Sequence, residues 1–456
     1  MKRTGIWMWV FLLAATVLAQ DAKKPNARVP VEWLREGIIY QIHTRAFTPE
    51  GTLPAAEKHL PRLKDLGVTI VYLCPIFVSD DDMDKKYWSG RQKASGMENP
   101  KNPYRMKDYF HVDPEYGTDD DLKSFIKTAH SLGLRVMLDL VYFHCGPTAV
   151  FLKDHPDFVQ RDKDGNFVTG EWAFPRLNFE NPELREYLYS NMEYYLKEFD
   201  VDGYRLDVGD MVPLDFWVEG RRRMEKIRPD VGILCEGISS TGLQDAYDEC
   251  YGFYLLFEYS KVMVKGEPVS LLRAAKERLA RSVKGGQYMH CVTNHDYANQ
   301  TRHVDHQPLQ PRMEVRWGEK KMDAALLFLF TLDGTPMIYN GQEIADKRPH
   351  SIFGRKNGFW IHWDEDGDTE EARRRTAYVQ KLCKMRKENP QFTQGALVWL
   401  DNNVPDDVLS FERVLDGKST LVVINFRDKP ADVSVKRTDG SETPVKLDAF
   451  GTFVGL

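Results

Sequence analysis

The stretch PELREYLYSNMEYYLKEFDVDGYRLD, residues 182–207, contains the repeating unit of the whole chain. Its first part, Pro182–Phe199, has the apolar spacing of an amphipathic helix. Its last part, Gly203–Asp207, is a short apolar run that reads as a strand and ends on an acid. Similar runs recur on both sides, at Ile38–Ile42, Thr69–Cys74, Arg135–Val141, Ile233–Glu236, Tyr251–Phe257, Tyr288–Thr293 and Met337–Asn340. Helical stretches fall between them at Leu60–Leu66, Asp119–Leu132, Phe216–Ile227, Leu271–Arg281 and Lys321–Leu332, and Glu370–Lys387 closes the series. Asp119, Asp120 and Asp121 open their helix with charges that complement its dipole.

About eight strand-then-helix units predict an α/β fold, a (β/α)8 TIM barrel. Continuous apolar strands suit parallel strands buried on both faces. A doubly wound open sheet is the alternative, but it would carry a Gly-rich phosphate loop after its first strand, and Gln41–Phe47 has none. Two segments depart from the pattern. The long connection 144–180 reads as a short inserted loop domain after strand 3, with a turn at RDKDGNF (161–167). From residue 394 to 456 short alternating strands at Ala396–Leu400, Val408–Arg413, Thr420–Phe426 and Ala431–Lys436 predict a small antiparallel β-domain. The barrel, with its insertion, is expected over 20–393.

Residues 1–19 read as a signal peptide: a basic start at Lys2-Arg3, an apolar run, and small residues before the cut. Export to the periplasm or medium is therefore expected, with no stable membrane span after cleavage. The net charge is −6 and no basic stretch is large enough for nucleic acid. Six cysteines form neither a disulfide-scaffold pattern nor a C-x-x-C pair, so buried free thiols are expected.

Three acids end strand-like runs: Asp207 in DGYRLD, Glu236 in GILCEG and Asp296 in CVTNHD. In such a barrel the active site forms at the C-terminal ends of the strands. Asp139, His144, Arg205, Asp207, Glu236, His295 and Asp296 would converge there. Paired carboxyls about 5 Å apart suit a retaining glycosidase. Arg205 lies two residues before Asp207, on the same face of the strand, and should lower its pKa. Glu236 has no cation beside it in sequence, so a less polar setting should raise its pKa, as a general acid requires. His144 and His295 could donate to sugar hydroxyls.

DLVYFH (139–144), GYRLD (203–207), CEG (235–237) and NHD (294–296) resemble the four short motifs of the α-amylase family of glycoside hydrolases. LKDLGVTIVYLCPIF (63–77), DYFHVDPEYGT (108–118), TPMIYNGQE (335–343) and LCKMRKENP (382–390) are also similar to stretches of that family. The resemblance implies Asp207 as nucleophile, Glu236 as acid/base and Asp296 as transition-state stabiliser. It places Asp139, His144, Arg205 and His295 around the reacting sugar, with Tyr104 stacked on it. The substrate class it implies is an α-glucan or maltooligosaccharide. The second motif continues through Val208-Gly209-Asp210-Met211 to Trp217 in a way most similar to the neopullulanase and cyclomaltodextrinase branch, and linkage preference stays open. Hydrolysis is one outcome; transglycosylation or sugar isomerisation through the same site, and noncatalytic glycan binding, are the others. No cofactor is required, and calcium is the one metal that the resemblance raises. Phe143 stands where the family's first motif has a calcium-ligating asparagine, and it offers no oxygen to a cation that needs six to eight. Asp162 and Asp164, and Asp364–Asp368, are expected to be solvated turns.

Overall fold

The computed structural model describes residues 26–170, 172–281, 283–297, 311–355 and 358–455. The signal segment expected at 1–19 lies outside them. Eight parallel strands close into a barrel: β1 (Ile39–Ile42), β2 (Ile70–Leu73), β3 (Arg135–Leu140), β4 (Gly203–Leu206), β5 (Gly232–Cys235), β6 (Glu249–Tyr251), β7 (Gln287–Cys291) and β8 (Pro336–Tyr339). Each pairs with its neighbour in sequence, and β8 returns to β1. A closed barrel has no exposed strand edge.

Alternation along each strand divides the apolar residues into two layers. Ile39, Ile70, Tyr72, Met137, Leu234, Tyr251, Met289 and Met337 point inward and fill the barrel. Tyr40, Val71, Val136, Leu138, Tyr204 and Ile233 point outward and pack under the helices. These include Asp119–Ser131, Pro182–Glu198, Leu214–Ile227, Ser270–Ala280, Glu319–Thr331 and Glu370–Glu388. Thr118 caps the first of these with a reciprocal capping box to Asp121. Gly203 and Gly232 are register partners, and a Cβ on Gly203 would lie 2.2 Å from the Gly232 carbonyl oxygen, so the strands can meet there only because a side chain is missing.

The sixth strand is not Tyr251–Phe257. It is Glu249–Tyr251, and Phe253–Lys265 is a helix. A short apolar run fits either state, and here FYLLF is the start of a longer helical period. The true strand was hidden by Glu249, a fully buried acid whose pKa burial pushes up to about 8.

Two connections rise over the strand ends. After β2, Phe77–Ser79 pairs antiparallel with Met106–Val112, and the short helix Gly90–Ala94 lies between them. The sequence reading has no counterpart for this hairpin, in which a three-residue strand pairs with a seven-residue one through bulged register. After β3, the 144–180 segment is laced by bridges His144↔Arg176, Val159↔Leu177, Arg161↔Phe167 and Thr169↔Pro175. Asp162 closes its turn by accepting from the amides of Asp164 and Asn166.

The C-terminal part contains a four-stranded antiparallel sheet (Ala396–Trp399, Val408–Leu415, Lys418–Asn425, Thr452–Gly455) and a two-stranded one (Ala431–Lys436, Glu442–Leu447). Phe328 on a barrel helix meets Phe411 and Phe426, each at 6.0 Å between ring centroids. All six cysteines are buried free thiols. Among the described residues no helix is long and apolar enough to cross a membrane.

Candidate active site

Asp139 and Arg205 are register partners on β3 and β4, so an inward acid and an inward cation lie side by side. The ladder continues past the strand ends. The Asp207 amide donates to the Leu140 carbonyl at 2.9 Å, and the Glu236 amide to the Leu206 carbonyl at 3.0 Å. Both acids are thereby fixed at the rim.

Arg205 is the hub. Its side chain is fully buried, and Nη1 donates to Asp139 Oδ1 at 2.7 Å and to Asp207 Oδ1 at 2.9 Å. Its Nη2 lies 2.6 Å from Glu236 Oε2. Glu236 therefore has an adjacent cation, contrary to the expectation from its sequence neighbours. Its pKa is nevertheless pushed up to about 7, because burial outweighs Arg205 and the nearby acids add to the effect. Asp207 also departs from expectation. Burial raises its pKa well above the usual aspartate range, with Arg205 opposing and the charges of Glu236 and Asp139 adding to the rise. Three carboxyls share one guanidinium, so they cannot all be ionised cheaply.

Val208 completes the Glu236 environment. Its amide donates to Glu236 Oε2 at 2.9 Å, from a left-handed backbone with φ of 38°. That conformation is costly for a β-branched residue, and such strain clusters at functional sites. Asp210 ties the next loop by accepting from the amides of Ile238 and Ser239. A Cβ on Gly237 would collide with Asp210, so the two loops pack tightly beyond the acids.

The NHD segment is held residue by residue. Asn294 Oδ1 accepts from the amides of Asp296 and Tyr297 at 2.9 and 3.0 Å. The His295 amide donates to Gln41 Oε1, which fixes the Gln41 amide so that its Nε2 donates to His295 Nδ1 at 2.9 Å. His295 then carries its proton on Nε2, 2.6 Å from the Tyr104 hydroxyl, which donates onward to Asp139 Oδ2 at 3.2 Å. Burial lowers the His295 pKa to about 4, so the ring is neutral. Both of its nitrogens are occupied, and a sugar hydroxyl would have to displace Tyr104 to reach Nε2. His144 is neutral for the same reason, with a pKa near 4. Its Nε2 contacts the Tyr104 carbonyl at 2.9 Å, and among the described residues its buried Nδ1 has no partner.

Asp296 differs from the other acids. Burial acts to raise its pKa, but His295 and then Arg91 outweigh it, and the carboxylate is held well below its ordinary range. Arg91 Nη1 donates to Asp296 Oδ1 at 2.6 Å.

A cleft of about 550 Å³ opens over these groups. Tyr104, His144, Asp207, Glu236 and Asp296 line it together with Arg91, Trp172, Phe174, Phe253 and Phe353. Asp139, Arg205 and His295 sit beneath it. All eight sequence-selected residues thus meet at one rim. Arg91 and Trp172 were missed by sequence reading. Arg91 lies on a five-residue helix too short to show a period, and Trp172 lies in the irregular 144–180 connection, so no periodicity or motif marks either.

Phe143 packs under the Arg176 guanidinium at 5.3 Å. A fixed cation and an aromatic ring occupy the position where the family motif would bring an oxygen. Among the described residues no cluster of three or more His, Cys, Asp or Glu side chains could hold a metal ion. The Asp364–Asp368 segment is engaged elsewhere: Glu365 and Asp366 pair with Arg348, and Asp368 with Arg373.

A closed parallel barrel with acids gathered at the C-terminal rim defines a barrel enzyme with a carboxylate-rich cleft. Residues 23–171 and 163–402 match the family model for the α-amylase catalytic domain, and the chain belongs to the α-amylase family of glycoside hydrolases. A maltogenic alpha-amylase of Bacillus acidopullulyticus is 27% identical over 479 residues, spanning 92% of this chain and 72% of its own length. A cyclomaltodextrinase of Geobacillus thermopakistaniensis is 27% identical over 472 residues, 93% of this chain and 72% of that protein. Among solved structures, a noncanonic maltogenic alpha-amylase from Thermotoga neapolitana superposes with a TM-score of 0.76 at 25% identity, covering 92% of this chain and 97% of that one.

Proposed function

We propose that the protein hydrolyses α-glucosidic bonds in maltooligosaccharides or related α-glucans by double displacement with retention. An Asp207 oxygen attacks the anomeric carbon as the glycosidic C–O bond breaks, and Glu236 gives its proton to the leaving oxygen. In the second step Glu236 takes a proton from water, whose oxygen attacks the anomeric carbon and frees Asp207. Asp296 stays ionised throughout and opposes the positive charge developing on the sugar ring.

The observation that carries this reading is the shared guanidinium. Asp207 on Nη1 and Glu236 on Nη2 of Arg205 are held at neighbouring nitrogens. That arrangement suits the ~5 Å carboxyl spacing of retaining enzymes better than the ~6.5–9.5 Å that leaves room for water in inverting ones. A Glu236 that keeps its proton to about pH 7 supports its role as acid. The names of the similar proteins support an α-glucan substrate.

The test is Asp207→Asn on 4-nitrophenyl α-maltoside. Turnover is expected to be nearly abolished with the fold intact, and near-normal turnover would refute the assignment. Products from maltoheptaose, a cyclodextrin, pullulan, isomaltose and trehalose read the substrate range. Longer or rearranged sugars from concentrated maltose would show transfer in place of hydrolysis. The basic and apolar leader further supports export, which N-terminal sequencing of protein recovered outside the cytoplasm would check.

A further inference from the structure

We infer that Arg91 is a positioning residue for this reaction, acting through Asp296; the inference rests on the role proposed above for that acid. Arg91 grips Asp296 twice. Nη1 donates to the side-chain Oδ1 at 2.6 Å, and Nη2 to the main-chain carbonyl oxygen of the same residue at 3.3 Å. The two side chains are 31% and 27% exposed, so the pair forms part of the cleft wall and is not part of the core. One N–H donor holds the carboxylate and a second, from the same planar group, holds the main-chain carbonyl, so the guanidinium ties the Asp296 side chain to its own backbone.

The support behind Arg91 is rigid. Ser89 caps the helix Gly90–Ala94 by accepting from the Gln92 amide at 3.0 Å. Gln92 Nε2 donates to the carbonyls of Asn99 and Pro100, at 3.0 and 3.1 Å, and pins the helix to the chain that leads to Tyr104. The guanidinium carbon lies 5.6 Å from the centre of the Phe353 ring, which comes from the connection after β8. Arg91 thus joins the connections after β2, β7 and β8 at one carboxylate. Asn294 fixes the Asp296 backbone, and Arg91 fixes the side chain. Asp296 must face the sugar at a set angle, and the Arg91 donor on Oδ1 acts together with the His295 ring, whose Nε2 lies 3.4 Å from Oδ2, to hold it there.

The position also sets a limit on the clamp. An arginine on Asp296 partly offsets the negative charge that the sugar would feel. Its contribution is therefore to orientation and to ionisation of Asp296, and the expected loss is in kcat more than in KM.

The experiment measures kcat and KM on 4-nitrophenyl α-maltoside for Arg91→Met, Arg91→Lys, Asp296→Asn and the double variant, each with its melting temperature. Arg91→Met keeps an unbranched side chain of similar length and removes the donors, together with the guanidinium contact to Phe353. It is expected to lower kcat by roughly 10-fold or more, with little change in KM. Arg91→Lys is expected to recover part of that loss. In the Asp296→Asn background Arg91→Met should cost nothing further, because its effect passes through the missing carboxylate. An Arg91→Met enzyme with kcat within about twofold of the parent, or a loss confined to KM, or an undiminished loss in the Asp296→Asn background, would overturn the inference. Near-normal turnover of Asp296→Asn alone would refute the underlying role of Asp296, which keeps the two failures distinct.

Discussion

Arg205 Nη2 lies 2.6 Å from Glu236 Oε2, although the two residues sit on different strands and nothing in the sequence around Glu236 shows a cation. The contact gives Glu236 two opposed influences. Burial favours its neutral form and Arg205 its charged form, and burial prevails. The same guanidinium reaches Asp139 and Asp207, so its removal should be felt at all three acids. Arg205→Met leaves three buried carboxyls without a cation. Breaking buried pairs costs about 3–5 kcal/mol. The expected result is a clear drop in melting temperature and a loss of kcat/KM on the order of 10³-fold or more. Calorimetry and steady-state kinetics on the same preparation check both.

The pH profile follows from the two raised acids. kcat/KM reports the free enzyme, and the reaction requires Glu236 protonated and Asp207 ionised. Activity should fall on the alkaline side as pH passes about 7 and Glu236 loses its proton. On the acid side it should fall at a pH above the usual aspartate range, because burial holds Asp207 up. The limbs belong to the coupled pair, so Glu236→Gln should move the acid limb as well as remove the alkaline one. A plateau extending far above neutrality would contradict the assignment.

Glu249 offers a stability test away from the chemistry. It accepts from Thr335 Oγ1 at 2.7 Å inside the barrel, and its pKa is about 8 when folded. An unfolded glutamate ionises near 4.3. Between these values the folded state binds the extra proton, so this group's contribution to stability is full below about pH 4. It declines as pH rises to about 8, by about 1.4 kcal/mol per pH unit at most. Glu249→Gln removes the titration and keeps an acceptor for Thr335. Its melting temperature relative to the parent should rise between pH 5 and pH 8 scans; an unchanged difference would show that Glu249 is not the titrating group.

Calcium is expected to be dispensable. The Phe143 ring under Arg176 puts a fixed positive charge beside the position where the family's ligand would stand. Dialysis against a chelator should leave the melting temperature nearly unchanged. A loss of several degrees that calcium restores would mean that a site exists elsewhere.

The recurrence of apolar runs and helical periods was enough to specify the barrel, because burying a strand on both faces demands continuous apolar sequence. It was also enough to specify which acids reach the rim, because Asp207, Glu236 and Asp296 each end such a run. Period failed at β6. Glu249 is an acid in a strand, and only enclosure by the barrel makes its neutral form stable enough to sit there. The electrostatics needed the tertiary structure as well. Arg205 is two residues from Asp207 and was read as its partner, yet β3 and β5 bring Asp139 and Glu236 to the same guanidinium, and burial reverses the expected shift at Asp207. Arg91 is 205 positions from Asp296 and belongs to a five-residue helix too short to show a period in the sequence. Local sequence dictates local backbone and which face is apolar. The protonation of an acid depends on everything packed around it, and that is decided only when distant segments fold together.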